Sequence, residues 1–226
     1  MKLGLNNNQL KIIAMVSMLI DHMGYILFPH VAWMRIVGRL AFPIFAYMIA
    51  EGCAHTRNRA GYLFRMVAFA AIVQAAYYVA MDSLRQCCFV TFSMSIATIY
   101  AADCYRKNKG IFSAALAGIT LAALVYVCVM LPGRLPGFRI EYGLFGVLLP
   151  VVIYLVPGKE GKVVAAAAML MAISSNYSRL QWYALLSLPL LVLYNGNRGK
   201  AKLKYLFYIF YPTHLVVLYF IGQYLM

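Results

Sequence analysis

The sequence is a series of apolar stretches, most of them about 20 residues long, separated by short segments rich in basic residues, proline and glycine. A helix needs ~20 mostly apolar residues to cross a bilayer. Only 12% of the residues are charged and 64% are hydrophobic, so about half the charge typical of a soluble domain is missing. The sequence therefore excludes a soluble globule, a disordered chain and a disulfide-bonded secreted domain. It predicts an all-α, polytopic helical membrane protein.

Proline, glycine and charged clusters mark the ends of about nine predicted transmembrane helices. The predicted spans are 9–28, 33–54, 60–81, 88–105, 111–131, 141–157, 163–178, 180–195 and 204–225. The sixth to eighth are shorter than a normal span, as is typical of tilted, re-entrant or broken helices. No internal repeat or separate soluble domain interrupts the series, so we expect one integral-membrane domain over residues 1–226.

Basic residues outside the spans predict the orientation, because cytoplasmic loops retain an excess of Lys and Arg. With the N-terminus inside, fourteen basic residues fall on the cytoplasmic side. Only Arg85, Arg134, Arg139 and Arg179 fall on the outer side. This bias predicts a cytoplasmic N-terminus, an extracytoplasmic C-terminus and an odd number of spans.

The net charge of +14 and the five cysteines raise two further possibilities, nucleic-acid binding and metal binding. The basic residues lie in small clusters between apolar stretches, not on one solvated face, so we expect no nucleic-acid partner. The cysteines lack the paired spacing of metal ligands, so we expect no metal.

Two histidines are predicted to lie at similar depth in the bilayer. Lys11 and His22 are eleven residues apart, within ~20° of three whole turns, so they share one face of the first helix with a rise of ~16 Å. His214 follows Lys204 by ten residues on the last helix, which gives a similar depth of ~15 Å. A single helix histidine is usually a packed core group. Two at one depth favour a site for general base or proton transfer, and Asp21 beside His22 is expected to serve a different partner.

The other ionisable residues within predicted spans allow both functional and structural interpretations. Arg35 and Arg39 form one positive stripe on the second helix and either serve the site or reach to the outer interface. Pro43 in the same helix permits a kink. We expect Glu51 to pair with Arg57 or Arg59, and Asp103 to be solvated at a helix end.

Two basic segments on the cytoplasmic side are candidate phosphate sites, since guanidinium groups suit phosphate. The first contains Arg57 and Arg59, with Arg65 close by, and the second is the segment 195–200 with Arg198. Either segment could instead be only an orientation signal.

Several motifs across almost the whole chain resemble the TraX family, membrane proteins associated with N-terminal acetylation of conjugative pilin. The motifs are LKIIAM (10–15) with LIDHMG (19–24), GRLAFPIFA (38–46) with EG (51–52), YGLFG (142–146), QWYALL (181–186) with YNG (194–196), and FYPTHL (210–215). A more distant resemblance is to the transmembrane acyltransferases, including acyltransferase family 3. Those proteins also carry a basic residue about ten positions before a histidine of the first helix.

The resemblance implies acetyl-CoA as the donor on the cytoplasmic side and an acceptor outside or within the bilayer. His22 is the first choice for the catalytic base and His214 the second, with Asp21 as a possible partner. Tyr211 or Arg39 is the candidate donor to the oxyanion. The residues assigned to the phosphates and arm of acetyl-CoA are Lys11, Arg39, Arg57, Arg59, Arg65 and Arg198.

The sequence thus predicts a multi-pass acetyltransferase of the bacterial inner membrane. Its acceptor is a pilin-like peptide N-terminus or a cell-surface glycan. Direct transfer and an acyl-histidine relay are both open. Two other functions compete with this one: a proton-coupled transporter, because paired intramembrane charges also build proton relays, and a non-catalytic pilus or envelope assembly protein.

Overall fold

The computed structural model describes residues 4–81, 83–199 and 204–225, and these are mainly helical. The α-helices are α1 Asn7–Ile26, α2 Ala32–Gly38, α3 Ala41–His55, α4 Arg59–Met81, α5 Cys88–Asn108, α6 Ile111–Val125, α7 Leu131–Arg134, α8 Gly143–Leu155, α9 Lys159–Asn176, α10 Leu188–Val192 and α11 Lys204–Leu225. A π-helical turn, Tyr126–Met130, joins α6 to α7, and a 3-10 helix, Arg179–Ser187, leads into α10. Two short strands, β1 Arg85–Gln86 and β2 Arg139–Ile140, pair in parallel.

The all-α class is confirmed, and each predicted span falls on helical structure. Four helical stretches in the described part of the chain are long and apolar enough to cross a membrane: Ala32–His55, Arg59–Tyr78, Cys88–Asn108 and Ile111–Arg134. One of the short predicted spans differs from a regular α-helix. Residues 180–195 form mostly the 3-10 helix and the five-residue α10, which suits a broken segment better than a straight span.

The second predicted span is two helices. The chain breaks at Arg39 and Leu40, between α2 and α3, and not at Pro43. Pro43 lies in the first turn of α3, where its missing N–H leaves no helical hydrogen bond unmade. The break comes directly after Gly38, which packs against Asp21 of α1.

The described residues form two compact units. The terminal unit comprises residues 1–48 and 158–226, and the central unit comprises residues 49–157. The prediction of one domain over residues 1–226 stays a prediction. The α3 helix contributes its first half to the terminal unit and its second half to the central unit.

In the terminal unit, α1 and α11 pack side by side and run in the same direction. Lys11 lies over the ring of Phe207, His22 meets His214, and Ile26 is close to Gly222. Residue numbers increase in the same direction along both helices from one contact to the next, so the two helices are parallel. The two helices with the candidate histidines therefore share one orientation.

The central unit is organised around α5, which contacts α4, α6 and α8. Ser95 Oγ lies 2.8 Å from the carbonyl oxygen of Val147, and Thr91 donates to the carbonyl oxygen of Glu141 at 3.0 Å. These bonds give polar side chains partners inside an apolar helix bundle, where an unpaired polar group is costly.

Candidate functional site

The first helix begins with a complete cap. Asn6 Oδ1 accepts from the backbone N–H of Gln9 at 3.0 Å, and Gln9 Oε1 accepts from the backbone N–H of Asn6 at 2.9 Å. This capping box fixes where α1 starts. The positions of Lys11 and His22 along the helix follow from that start.

Two glycines bring α2 close to the C-terminal half of α1. A Cβ added at Gly24 would lie 2.7 Å from Cβ of Met34, and one added at Gly38 would collide with the Asp21 carboxylate. Small residues at such contacts allow close backbone approach. The chain can therefore place the arginines of α2 beside Asp21.

The two candidate histidines are in direct contact. His22 Nδ1 lies 2.7 Å from His214 Nε2, and the ring centroids are 5.0 Å apart in a nearly stacked arrangement. His214 is 6% exposed. The predicted similarity in depth is confirmed, because α1 and α11 bring the rings together across 192 residues of sequence.

Hydrogen-bond partners assign the tautomers of the uncharged pair. His214 Nδ1 lies 2.8 Å from the carbonyl oxygen of Phe210, which can only accept, so Nδ1 carries the hydrogen. His214 Nε2 then has a lone pair, and His22 Nδ1 must donate to it. The remaining nitrogen, His22 Nε2, keeps its lone pair and has no hydrogen-bond partner among the described residues. It is the basic and nucleophilic atom of the pair.

Tyr211 closes one side of the histidine pair. It is 7% exposed, and its ring stands edge-on to His214 at 5.5 Å and to His22 at 6.3 Å between centroids. Phe210 stacks on His214 at 4.8 Å. The imidazoles thus lie among aromatic rings contributed by α11, which restricts their orientation.

Asp21 serves different partners from His22, as predicted. Its carboxylate accepts from Arg39 Nη2 at 2.8 and 2.9 Å and lies 3.0 Å from Arg35 Nη1. Arg39 also donates to Gln181 Oε1 at 3.4 Å and to the carbonyl oxygen of Arg35 at 3.3 Å. Asp21 thus ties α2 to α1 and, through Arg39, to the 3-10 helix. We call the four side chains Asp21, Arg35, Arg39 and Gln181 the arginine cluster.

Lys11 and Arg198 lie at the opposite end of α1 from the arginine cluster. The segment before Arg198 is held to the start of α1 by backbone bonds, Asn7 N–H to Asn197 at 2.8 Å and Asn195 N–H to Leu5 at 2.9 Å. Lys11 follows one turn later, with its Nζ 5.1 Å from the centre of the Phe207 ring. Lys200, which belongs to the predicted phosphate segment 195–200, lies outside the described residues.

The central unit contains the other predicted phosphate residues. Arg59 is engaged: its Nη2 lies 2.6 Å from Asp103 Oδ2. Arg57 is exposed, whereas Nε of Arg65 is buried without a hydrogen-bond partner in the described part of the chain. Of these three, Arg57 is the one with an exposed side chain.

The expectation that Asp103 is solvated is wrong. Asp103 is 8% exposed and accepts from Arg59 and, at 2.6 Å, from the Tyr154 hydroxyl. A charge can be buried when it is paired and hydrogen-bonded. The pairing of Glu51 with Arg57 stays a prediction. The structure places His55 Nδ1 3.9 Å from its carboxylate, and Arg59, one of its two predicted partners, pairs with Asp103.

Sequence reasoning missed Gln181 and Tyr154 as partners of charged groups. Gln181 is 3% exposed on an otherwise apolar segment, and a lone amide in such a segment was the available signal. Tyr154 gave none, because tyrosine is common near membrane interfaces. Within the described residues, no group of three or more His, Cys, Asp or Glu side chains could hold a metal ion.

Comparisons with known proteins agree with the motif resemblance. The TraX protein family matches residues 6–222 of the chain. A protein of Dichelobacter nodosus, named "Probable fimbrial assembly protein FimC, serogroup H1", is 24% identical over 239 aligned positions, covering 93% of each chain. An uncharacterised protein of Rickettsia prowazekii (strain Madrid E) is 31% identical over 102 positions, which cover 42% of this chain and 34% of that protein. No solved structure matches.

Proposed function

Because the chain belongs to the TraX family, we propose that it is a membrane acetyltransferase that moves an acetyl group from cytoplasmic acetyl-CoA to an extracytoplasmic acceptor. The observation that carries this proposal is the 2.7 Å contact of His22 with His214. The contact orients one imidazole so that its Nε2 lone pair is available, as a general base or a nucleophile requires. The acceptor is a pilin-like peptide amine or a surface glycan.

The positions of Lys11 and Arg198 support a donor site at the start of α1. Both are basic, and the backbone bonds of the 195–198 segment bring them to one end of the helix. His22 lies about 16 Å further along the same face, close to the reach of a pantetheine arm. Phosphates bound at Lys11 and Arg198 would therefore allow the thioester to reach the imidazole.

The reaction balances with the groups described. The acceptor nitrogen or oxygen bonds to the thioester carbonyl carbon while His22 Nε2 takes the acceptor's proton. The C–S bond then breaks, and the CoA thiolate leaves and is protonated. In the alternative relay, Nε2 itself bonds to the acetyl carbon first, while the C–S bond breaks and the CoA thiolate leaves. The acceptor nitrogen or oxygen then displaces Nε2 from the acetyl carbon, and the acceptor's proton passes to the released imidazole. Tyr211 is our choice for the oxyanion donor, because Arg39 is already committed to Asp21, Arg35 and Gln181.

We further propose nine crossings in the bacterial inner membrane, with the N-terminus in the cytoplasm. The parallel packing of α1 and α11 supports an odd number of crossings, since both helices must enter the bilayer from the same side. The excess of basic residues on that side supports its cytoplasmic location.

A non-catalytic role in pilus assembly is the second candidate. The observation in its favour is the Dichelobacter nodosus relative, whose name describes a fimbrial assembly protein. In that role the arginine cluster and the histidine pair would only hold helices together.

Acetyl transfer in proteoliposomes separates these functions. The purified protein would receive labelled acetyl-CoA and a pilin-like peptide with a free amino terminus. We expect labelled peptide with wild type, loss of transfer with His22→Gln, and normal transfer with the matched control His30→Gln. His30 is exposed and follows α1 in the loop before α2. Lys11→Gln and Arg198→Gln should raise KM for acetyl-CoA, whereas Lys159→Gln at an exposed site should not.

Other outcomes would count against the proposal. A folded wild-type protein that binds peptide but transfers nothing fits the assembly role. Transfer that continues unchanged in folded His22→Gln would show that the imidazole is not the base.

A further inference from the structure

The arginine cluster carries more positive charge than its contacts neutralise. Two guanidinium groups, Arg35 and Arg39, share the single carboxylate of Asp21. The whole terminal unit has eleven basic residues but only two acidic ones, Asp21 and Glu160. A net positive charge among apolar helices is costly unless an anion meets it.

Arg39 is the structural member of the cluster. Its Nε, Nη1 and Nη2 all have partners, namely the carbonyl oxygen of Arg35, Gln181 Oε1 and the Asp21 carboxylate. Its side chain is 14% exposed. An arginine with each nitrogen engaged fixes helices in place and has little capacity for a ligand.

Arg35 differs in exposure and in its free donors. Its side chain is 26% exposed, the most open of the three charged groups, and its guanidinium lies 5.2 Å from the ring centre of Tyr25. Its Nη1 bonds to the carbonyl oxygen and carboxylate of Asp21. In the described chain, Nε and Nη2 have no hydrogen-bond partner. The aromatic ring and Asp21 hold the guanidinium while one edge stays available.

The position of Arg35 suits binding of a substrate group that lies near the reacting atom, and not binding of the reacting atom itself. Asp21 and His22 are consecutive in α1, so their side chains point about 100° apart. Functional groups at that angle on one helix are separated by on the order of 10 Å. Arg35 is held by Asp21, so we place it beside a part of the acceptor that is separate from the atom facing His22.

We infer that the exposed edge of Arg35 binds a carboxylate of the acceptor, which makes the acceptor an acidic peptide whose acid lies about three residues from the amine that is acetylated. This inference rests on the proposed function for the identity of the amine. The spacing follows from the separation of on the order of 10 Å, since an extended chain advances ~3.3–3.6 Å per residue. A guanidinium edge with two donors suits a carboxylate better than any neutral group. Arg179, two residues before Gln181 in the 3-10 helix, is a further exposed basic residue of the terminal unit.

The test compares two peptides that differ in one charge. Each has five residues, a free amino terminus and an amidated carboxyl end, with Glu or Gln at the third position. Their Kd values would be measured by calorimetry on the protein in detergent, without acetyl-CoA. Their kcat/KM values would be measured separately in the transfer assay. The variants are Arg35→Gln and Arg35→Lys, and the matched control is Arg85→Gln, an exposed arginine of the central unit.

We expect wild type and Arg85→Gln to bind the Glu peptide at least tenfold more tightly than the Gln peptide. Arg35→Gln should bind both peptides alike. Arg35→Lys keeps the positive charge but loses the planar guanidinium group, so it should retain only part of the preference for the Glu peptide. If Arg35→Gln does not fold, Arg35→Lys provides the test. Higher salt should reduce the wild-type preference.

Three results would overturn the inference: equal affinity of wild type for both peptides, an unchanged preference in folded Arg35 variants, or equally efficient transfer to a neutral glycan. A Glu preference in binding that depends on Arg35, without any acetyl transfer, would support the acidic-peptide site and refute the proposed acetyltransferase. Acetyl transfer to both peptides without preference would support the proposed acetyltransferase and refute the acidic-peptide site.

Discussion

The hydrogen bond from His22 to His214 makes the role of each histidine testable by substitutions that keep or remove one acceptor. In glutamine, Oε1 is four bonds from Cα, the same number as Nε2 of histidine. In asparagine, Oδ1 is three bonds from Cα, as Nδ1 is. His214→Gln can therefore still accept from His22 Nδ1, whereas His214→Asn can replace only the atom that faces Phe210.

The size of the effect follows from the lost acceptor. In His214→Asn, His22 either keeps a buried donor without a partner, which costs ~1–3 kcal/mol, or moves its hydrogen to Nε2 and loses the basic lone pair. Since 1.36 kcal/mol changes a rate about tenfold, we expect acetyl transfer to fall by at least about fivefold. His214→Gln should stay within about threefold of wild type, because one acceptor remains.

The assay is single-turnover acetyl transfer in proteoliposomes at saturating acetyl-CoA, with thermal unfolding in detergent as the check on folding. Both variants lose the imidazole ring and its stacking on Phe210, so packing losses should be similar. Equal rates for the two folded variants would refute the tautomer assignment. A faster His214→Asn would show that the bond to Phe210 matters more than the bond to His22.

The other predictions concern stability, measured as the unfolding midpoint in detergent. Asp21→Asn leaves two arginines facing each other and should destabilise the protein by ~3 kcal/mol or more, as removal of one partner from a buried ion pair does. Gly38→Ala should prevent correct folding because its Cβ would collide with Asp21, whereas Gly118→Ala, with nothing within 4 Å of the new Cβ, should be neutral or stabilising by up to ~1 kcal/mol. Tyr154→Phe removes one of the two partners of Asp103 and should cost ~1–3 kcal/mol. An unchanged midpoint in Asp21→Asn or Tyr154→Phe, or equal midpoints in the two glycine variants, would contradict these contacts.

Apolar stretches and their ends predicted most helices well. The spans 60–81 and 204–225 correspond to α4 Arg59–Met81 and α11 Lys204–Leu225. Burial in lipid leaves an uninterrupted helix as the main way to satisfy the backbone, so hydropathy alone locates such segments. The break after Gly38 could not be read in this way. No proline or charged cluster marks it, and the glycine before it packs against Asp21 of another helix.

The candidate site was predictable in its residue types but not in its partners. Helical spacing placed Lys11 and His22 on one face, and similar depth favoured a functional site that includes His22 and His214. Spacing gave no information on Asp103, because its partners Arg59 and Tyr154 are 44 and 51 residues away. Which charge pairs with which is decided by how helices pack, and a single sequence does not contain that packing explicitly.

The pairing of α1 with α11 has a consequence for biogenesis. The acceptor for His22 Nδ1 is supplied 192 residues later, so a nascent chain inserts its first helix long before the partner leaves the ribosome. During that interval the imidazole is not held in its working tautomer. The histidine pair therefore assembles in a single late step, when α11 packs beside α1.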